Sequence, residues 1–150
     1  MNVPIVDNDL KAVLSNQNLG VLATTGETYP YTSLVGFVVS ENLRNIIFAT
    51  RKATRKYENL KNHPNVSILI NSAANNKDDF KNAAAVTAMG ISKDVIGEGQ
   101  KRYKSIYLAK FPFLEDFIKN PSCVLVSVNV KRYIVVTRFQ EVREIKVTCN

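Results

Sequence analysis

The chain has 150 residues, 45% of them hydrophobic, which suits one domain with its own core and is too short for two of ordinary size. We therefore expect a single domain over residues 1–150. The net charge of +7 suits a polyanion, but it equally suits a ligand that carries phosphate. No apolar run reaches the roughly 20 residues that span a bilayer, and no signal-peptide pattern opens the chain, so we expect a soluble, cytoplasmic protein without a membrane partner.

The cysteines and the histidine exclude several kinds of site. Cys123 and Cys149 form no C-x-x-C pair and no metal-ligand spacing with His63, the single histidine. We therefore expect no metal site and no structural disulfide, and a Ser-His-Asp triad is excluded.

In chain order, the first predicted element is a short amphipathic helix over residues 7–18. Asp7 is a good N-cap, apolar residues follow it at i, i+3 and i+4 spacing, and Gly20 is expected to end the helix. Three β-rich runs come next, at 19–25, 29–40 and 45–50, separated by the turn-forming stretches TGET and ENLRN. Together they predict an antiparallel meander.

The second β-rich run is largely apolar on both of its faces, which favours a barrel or sandwich over an open sheet. Further along, the patterns predict a helix at 54–62, strands at 66–71 and 83–92 with an exposed loop or helical turn between them, helices at 98–110 and 113–119, and strands at 124–136 and 141–147. No βαβ alternation appears. The sequence therefore predicts a mainly β fold, a small antiparallel barrel with peripheral helices.

The segment TRKATRK, residues 50–56, concentrates four cations before the predicted helix at 54–62. Thr54 is its natural N-cap, and the unpaired N–H groups of the first turn would converge with Arg55 and Lys56 at the positive end of the helix dipole. Cations at this end oppose the dipole, so the arrangement favours a bound phosphate. The alternative is that these cations are simply solvated.

Nucleic acid is a further alternative, because more cations follow in the chain. They are scattered over different predicted elements and no nucleic-acid-binding motif accompanies them, so we expect no nucleic-acid partner. These cations are Lys101, Arg102, Lys104, Lys131, Arg132 and Arg138.

Residues 19–71 resemble the core of the pyridoxamine 5'-phosphate oxidase-like, FMN-binding split-barrel family. The resemblance is carried by LGVLATT, PYTSLVGFVVS and NIIFATRKATRKYENLKNHPNVSILI, with a Thr-x-Lys at the helix start and an N-L-x-x-N-x-P segment. RYIVVTRFQEV is similar, more loosely, to the closing strands of several members. The resemblance implies a six-stranded antiparallel split barrel, and a homodimer with FMN sites built from both subunits.

The resemblance also implies roles for individual residues. The FMN phosphate would be held by Thr54, Arg55 and Lys56, with Arg51 as a helper, and Thr50 would lie near the ribityl chain or ring edge. The second strand would present backbone groups to the ring from Ser33, Leu34 and Val35. Further cofactor contacts are expected from Asn71, and from Arg138 and Phe139, the last two from either subunit.

Two departures from the family pattern bear on activity. The second strand lacks the Arg and Lys that the authentic oxidase uses there, and the chain contains no Trp. The sequence thus predicts an FMN-dependent oxidoreductase acting on a small molecule or electron acceptor, with no catalytic residue assigned. A deazaflavin or haem could replace FMN, and the alternative is a non-catalytic flavin or haem carrier.

Overall fold

The computed structural model describes residues 3–147. Its strands are β1 (Leu19–Thr25), β2 (Pro30–Val39), β3 (Asn45–Arg51), β4 (Asn65–Asn71), β5 (Ala84–Asp94), β6 (Cys123–Thr137) and β7 (Glu141–Lys146). Its helices are α1 (Asn8–Asn16), α2 (Arg55–Asn62), α3 (Asp79–Asn82), α4 (Glu98–Lys110) and α5 (Glu115–Lys119), with a 3₁₀ turn at Pro112–Leu114. The predicted elements are confirmed with small shifts at their ends, and the segment between β4 and β5 contains one helical turn.

Six of the strands close into a barrel. They are hydrogen-bonded in the order β3-β2-β1-β4-β5-β6, each neighbour antiparallel, and β3 returns to pair with β6. The second half of β6 pairs with β7, which extends the sheet beyond the barrel. This confirms the predicted six-stranded antiparallel split barrel with peripheral helices.

The inward-facing side chains of the strands fill the barrel interior. One face of each barrel strand points inward, and most of its side chains are buried together with the apolar face of α1, which closes one end of the barrel. The core includes Leu10, Leu14, Leu22, Phe37, Phe48, Ile68, Val86, Val126 and Tyr133.

A second apolar cluster lies outside the barrel, where α4 and α5 cover β2, β3 and β6. Tyr107 of α4 and Phe111, which follows the helix, are buried there with Val38, and the Tyr107 hydroxyl donates a hydrogen bond to the Gly36 carbonyl (3.3 Å). The Lys110 ammonium donates to the Phe37 carbonyl (3.0 Å), and burial lowers the pKa of Lys110. These contacts dock α4 on the C-terminal half of β2.

Two expectations need correction. Gly20 does not end the first helix, because α1 stops at Asn16 and Gly20 lies within β1, where a Cβ atom would come within 2.9 Å of Ile68 Cγ2. The second strand is covered on both faces only from Gly36 onward, because the contacts of α4 with β2 reach Gly36 but not Leu34. Leu34, on the outer face, is 63% exposed.

Two further sequence expectations concern membranes and disulfides. None of the helices within residues 3–147 is long and apolar enough to cross a membrane. Cys123 is a free, half-buried thiol whose pKa is raised by burial, while Cys149 lies outside the described residues.

Candidate cofactor site at the start of the second helix

The segment between β3 and α2 is held by two threonine hydroxyls. Thr54 is the N-cap of α2, as predicted: its hydroxyl accepts a hydrogen bond from the Tyr57 N–H (3.4 Å) and donates one to the Arg51 carbonyl (2.8 Å). The Thr50 hydroxyl lies 3.2 Å from that of Thr54, and the Thr50 side chain is buried. The turn therefore fixes the first turn of α2 against the end of β3.

Four cations surround this helix start without neutralisation. Within residues 3–147, Arg51, Lys52, Arg55 and Lys56 form no ion pair with a carboxylate, and Glu58 in the first turn of α2 makes none with them either. Each exposed cation at a helix N-terminus costs about 0.3–1 kcal/mol through the dipole. Arg55 and Lys56, in the first turn of α2, therefore oppose the helix dipole.

The four cations do not all face the same way. The Arg51 guanidinium donates to the Ser122 hydroxyl (2.9 Å) and lies 5.3 Å from the centre of the Phe117 ring, so its side chain is held toward α5. Arg55 lines a cavity beside α2, and Lys56 is half-buried. The structure thus places the hydroxyls of Thr50 and Thr54 in contact and puts Arg55 and Lys56 in the first turn of α2, while Arg51 has partners of its own.

The barrel is split next to this helix start. The β2–β3 ladder runs only from Phe37 to Val39 on β2, and the same register would have set Val35 opposite Thr50. Ser33 and Val35 face inward beside this gap, while Leu34 faces outward. The Ser33 hydroxyl is buried and has no hydrogen-bond partner among the described residues. An edge of β2 without a strand partner and an unpaired buried hydroxyl therefore border the split.

Polar side chains that the sequence analysis missed hold α2 in the barrel end. The Asn59 amide donates to the Thr24 hydroxyl (3.1 Å), and the Tyr57 hydroxyl donates to the Asp94 carboxylate (2.7 Å). Burial and this carboxylate raise the pKa of Tyr57 to about 12. Thr24 could have been identified from the sequence, because the alternation in LGVLATT places it on the inward face with Leu22. Asp94 could not, because the predicted strand ended at residue 92.

A cavity of about 590 Å³ lies between α2 and the β1–β2 turn. Arg55, Asn59 and His63 of the α2 segment line one side of it, and Tyr29 and Tyr31 line the other. A polar molecule can therefore lie beside the helix start with Arg55 within its wall.

The remaining candidates lie at the opposite end of the barrel. Asn71 is the last residue of β4, and Asn65, the first residue of that strand, lies next to the end of α2. Because a strand rises about 3.3 Å per residue, Asn71 lies about 20 Å from α2. Arg138 and Phe139 form the β6–β7 turn, and Phe139 shares a cavity with Asn71. One protomer therefore does not bring Asn71, Arg138 and Phe139 to the α2 site.

Solved structures share this fold at low sequence identity. A haem-binding protein from Mycobacterium smegmatis aligns with a TM-score of 0.83 and 19% identity over 95% of this chain, and the chain spans 60% of that protein's length. An FAD-binding protein from Mesorhizobium loti gives 0.69 and 14% over 87% of this chain and 94% of its own. General Stress Protein 26 from Bacillus anthracis gives 0.65 and 17% over 91% and 94%.

Sequence comparison gives the family. No curated protein matches the sequence. The sequence model described as pyridoxamine 5'-phosphate oxidase matches residues 6–137, which include all eight candidate residues around α2 and the β2–β3 split and every strand of the closed barrel. The chain therefore belongs to the pyridoxamine 5'-phosphate oxidase family.

Proposed function

We propose that this protein is an FMN-binding flavoprotein that acts as an oxidoreductase on a small molecule or electron acceptor. The observation that carries the proposal is the uncompensated cation cluster at the start of α2, beside the split between β2 and β3. A phosphate monoester supplies the charge that this cluster lacks, and helix N-termini bind phosphate through their free N–H groups.

The residues present fit FMN at both ends of the molecule. At the phosphate end, Arg55, Lys56 and the first-turn N–H groups donate charged hydrogen bonds, with Thr54 holding the turn in place. Toward the ring, the free edge of β2 at Ser33–Val35 offers backbone groups, and the Ser33 hydroxyl offers a donor without a present partner. Thr50 is buried near the end of β3, and Arg51 contributes charge from its position near α5.

The flavin supplies electron and hydride transfer when bound, so the chain needs no acid or base of its own. The protein's part is to hold the phosphate, to orient the ring on β2 and to keep water from it. We assign no catalytic residue. Oxidation of pyridoxamine 5'-phosphate is not part of the proposal, because β2 lacks the Arg and Lys used by the authentic oxidase.

We further propose a homodimer with the site at the subunit interface. Arg138, Phe139 and Asn71 can join the α2 site only from a second copy, because they lie at the other barrel end of their own chain. An apolar strip for such a contact exists on the outer face, where Val21 pairs with Leu34 on one side and Leu69 on the other. Leu34 is 63% exposed and Leu69 40%. A cytoplasmic location and the lack of a nucleic-acid partner belong to the same proposal.

The first experiment is the absorption spectrum of the purified protein, followed by titration of the cofactor-free protein with FMN. We expect a flavin spectrum, and tight binding of FMN but weak binding of riboflavin, which lacks the phosphate. A colourless protein that gives no saturable signal with FMN would refute the proposal. Bleaching by NADH or NADPH, with reoxidation by an acceptor, distinguishes an enzyme from a carrier.

The phosphate assignment is tested by replacing Arg55 and Lys56 together with Ala. Charged hydrogen bonds contribute about 1.5–3 kcal/mol each, so FMN affinity should fall by roughly two or more orders of magnitude. Riboflavin binding should hardly change. A matched control replaces Lys11 and Lys77 with Ala, two exposed cations that are not part of the proposed site. Equal losses in both double variants would show that overall charge, and not the helix start, determines FMN affinity.

A haem-binding or carrier module is the second candidate. The observation that favours haem is the large cavity beside α2, which contains His63, Tyr29 and Tyr31, since histidine and tyrosine are ordinary axial ligands of haem iron. A Soret band in the purified protein that is lost in His63→Ala would select this function over the flavin.

A further inference from the structure

The cavity of about 590 Å³ beside α2 adjoins the phosphate end of the proposed FMN site and continues away from its ring end. Arg55, a proposed phosphate ligand, is one of its walls. The cavity meets the start of β2 at Tyr31 and the turn before it at Tyr29, whereas the ring is proposed further along β2, at Ser33–Val35. FMN ends at its phosphate, so FMN bound in this way leaves most of the cavity unfilled.

Hydrogen bonds hold the two sides of this cavity in place. The Asn59 amide of α2 donates to the Thr24 hydroxyl (3.1 Å), which in turn donates to the Tyr31 carbonyl (3.3 Å). The Gly26 N–H donates to the Tyr29 carbonyl (3.2 Å) and closes the β1–β2 turn, and a Cβ on Gly26 would come within 2.7 Å of that carbonyl oxygen. The helix and the turn are therefore both anchored to β1, and the space between them is part of the fold.

Two tyrosines give the cavity aromatic surface. Tyr29 is 78% exposed and Tyr31 38%, and neither ring has a ring–ring or cation–ring contact within residues 3–147. Aromatic side chains stack on nucleobases of any sequence, because every base has a π-face. The two tyrosines therefore suit a planar heterocycle.

The charged groups of the cavity change sign with distance from the phosphate end. Arg55 lies in the first turn of α2, and Glu58 and Asn62 follow it at i+3 and i+7 on the same side of the helix. Glu27, in the β1–β2 turn, is the other carboxylate, and neither glutamate has an ion-pair partner in the described part of the chain. Carboxylates repel a phosphate, but they accept hydrogen bonds from the hydroxyls of a ribose. The cavity thus offers a cation for phosphate first and acceptors for a sugar beyond it.

We propose that this cavity binds an adenosine 5'-phosphate group, so that the site, which rests on the flavin function proposed above, accepts FAD with its adenylate half in the cavity. The FMN half keeps the position described for FMN. The adenine ring lies against Tyr29 and Tyr31, the ribose hydroxyls donate to Glu58, and the second phosphate lies beside Arg55. The cavity volume falls within the range of about 300–1,000 Å³ that is usual for small-molecule sites. All of its walls belong to one chain, and whatever a second copy adds to the α2 site comes in addition.

The probes are FAD and FMN, each titrated by calorimetry into the cofactor-free protein. We expect FAD to bind at least as tightly as FMN. Tyr29→Ala should weaken FAD about 5- to 100-fold, the usual effect of removing a ring that stacks on a base, and should hardly change FMN affinity. Tyr29→Phe keeps the ring and should retain FAD affinity. The matched control is Phe113→Ala, a 78% exposed phenylalanine outside the cavity, which should change neither affinity.

A titration of the FMN-loaded protein with AMP distinguishes the two sources of an adenosine phosphate group. We expect AMP to bind far more weakly than FAD, because the covalent link in FAD makes the second contact intramolecular. AMP that binds the FMN-loaded protein as tightly as FAD binds the cofactor-free protein would overturn the assignment to FAD and make the ligand a free nucleotide.

Three further results would overturn the proposal. The first is weaker binding of FAD than of FMN by the wild type, and the second is an equal loss of FAD affinity in Tyr29→Ala and in Phe113→Ala or Tyr29→Phe. The third is a Soret band that is lost in His63→Ala, which would assign the cavity to haem. The FMN titration keeps the two proposals distinguishable, because a protein that binds FMN but rejects FAD refutes only the adenylate site, whereas failure to bind FMN refutes the proposed function.

Discussion

At the scale of single residues, the site depends on which polar atoms already have partners. The hydroxyls of Thr24, Thr50 and Thr54 are all engaged in contacts that hold α2 to the barrel. The Ser33 hydroxyl is buried beside the same split and has no partner in the described structure. A buried polar group without a partner costs stability, and such exceptions in native proteins call for an explanation. A ligand that reaches the edge of β2 provides one.

Ser33→Ala is therefore expected to separate stability from binding. Removing an unpaired buried hydroxyl should leave the free energy of unfolding of the cofactor-free protein unchanged or slightly higher, while FMN affinity falls about 2- to 10-fold for one lost hydrogen bond. Urea unfolding and FMN titration measure the two quantities. Thr24→Val is the contrasting variant, because it leaves the Asn59 amide without its hydrogen-bond acceptor and should lower the free energy of unfolding. Loss of stability in Ser33→Ala would mean that the hydroxyl has a protein partner after all.

At the scale of elements, the β5–β6 pair determines the shape of the barrel wall. The register of the two strands shifts by one residue between Met89 and Gly90, so that β6 contains an extra residue, Lys131. Val130 and Tyr133 are both buried on either side of it, while Lys131 and Arg132 are both exposed. Gly90 lies opposite this bulge, and a Cβ there would come within 2.2 Å of the Asn129 carbonyl oxygen.

Gly90→Ala should consequently lower the free energy of unfolding by about 1–3 kcal/mol or more, because backbone must move to admit the methyl group. The matched control is Gly99→Ala in the first turn of α4, where a Cβ meets nothing within 4 Å. That change should stabilise by about 0.5–1 kcal/mol. Denaturant unfolding of both variants checks the pair, and a neutral Gly90→Ala would show that the bulge relaxes easily.

At the scale of the whole molecule, local patterns predicted the elements but not all of their spatial relations. The cap Thr54 followed from a hydroxyl before a helix bounded by Pro64, and strand alternation predicted a barrel. The register shift in β6 could have been read from two adjacent cations, Lys131 and Arg132, that interrupt its alternation. The distance between the α2 site and Phe139 could not be predicted from the sequence, because the pairing of strands far apart in the chain leaves no local pattern.

One ion cluster links the two ends of the described chain. Arg143 of β7 donates two hydrogen bonds to Asp7 (2.8 Å each) and a third to Asp9 (2.8 Å). Asp7 also caps α1 by accepting from the Leu10 N–H (2.9 Å). The Arg143 hydrogen bonds are the main reason that the pKa of Asp7 lies below its ordinary value of 3.8. The helix that closes the barrel is thus held to the strand that extends it.

The lowered pKa makes this link sensitive to acid. A carboxyl whose pKa is lowered on folding contributes stability above its unfolded pKa and loses that contribution as the pH falls through the folded pKa. Arg143→Gln should therefore unfold more easily than the wild type in urea at pH 7, and the difference should shrink below pH 3.8 as Asp7 becomes protonated. Arg132→Gln is the control, because Arg132 meets Glu144 in a single exposed contact at 3.4 Å, and such pairs contribute little. If the wild type and Arg143→Gln differed in free energy of unfolding by the same amount at pH 7 and below pH 3.8, Arg143 would stabilise the fold through packing and not through its charge.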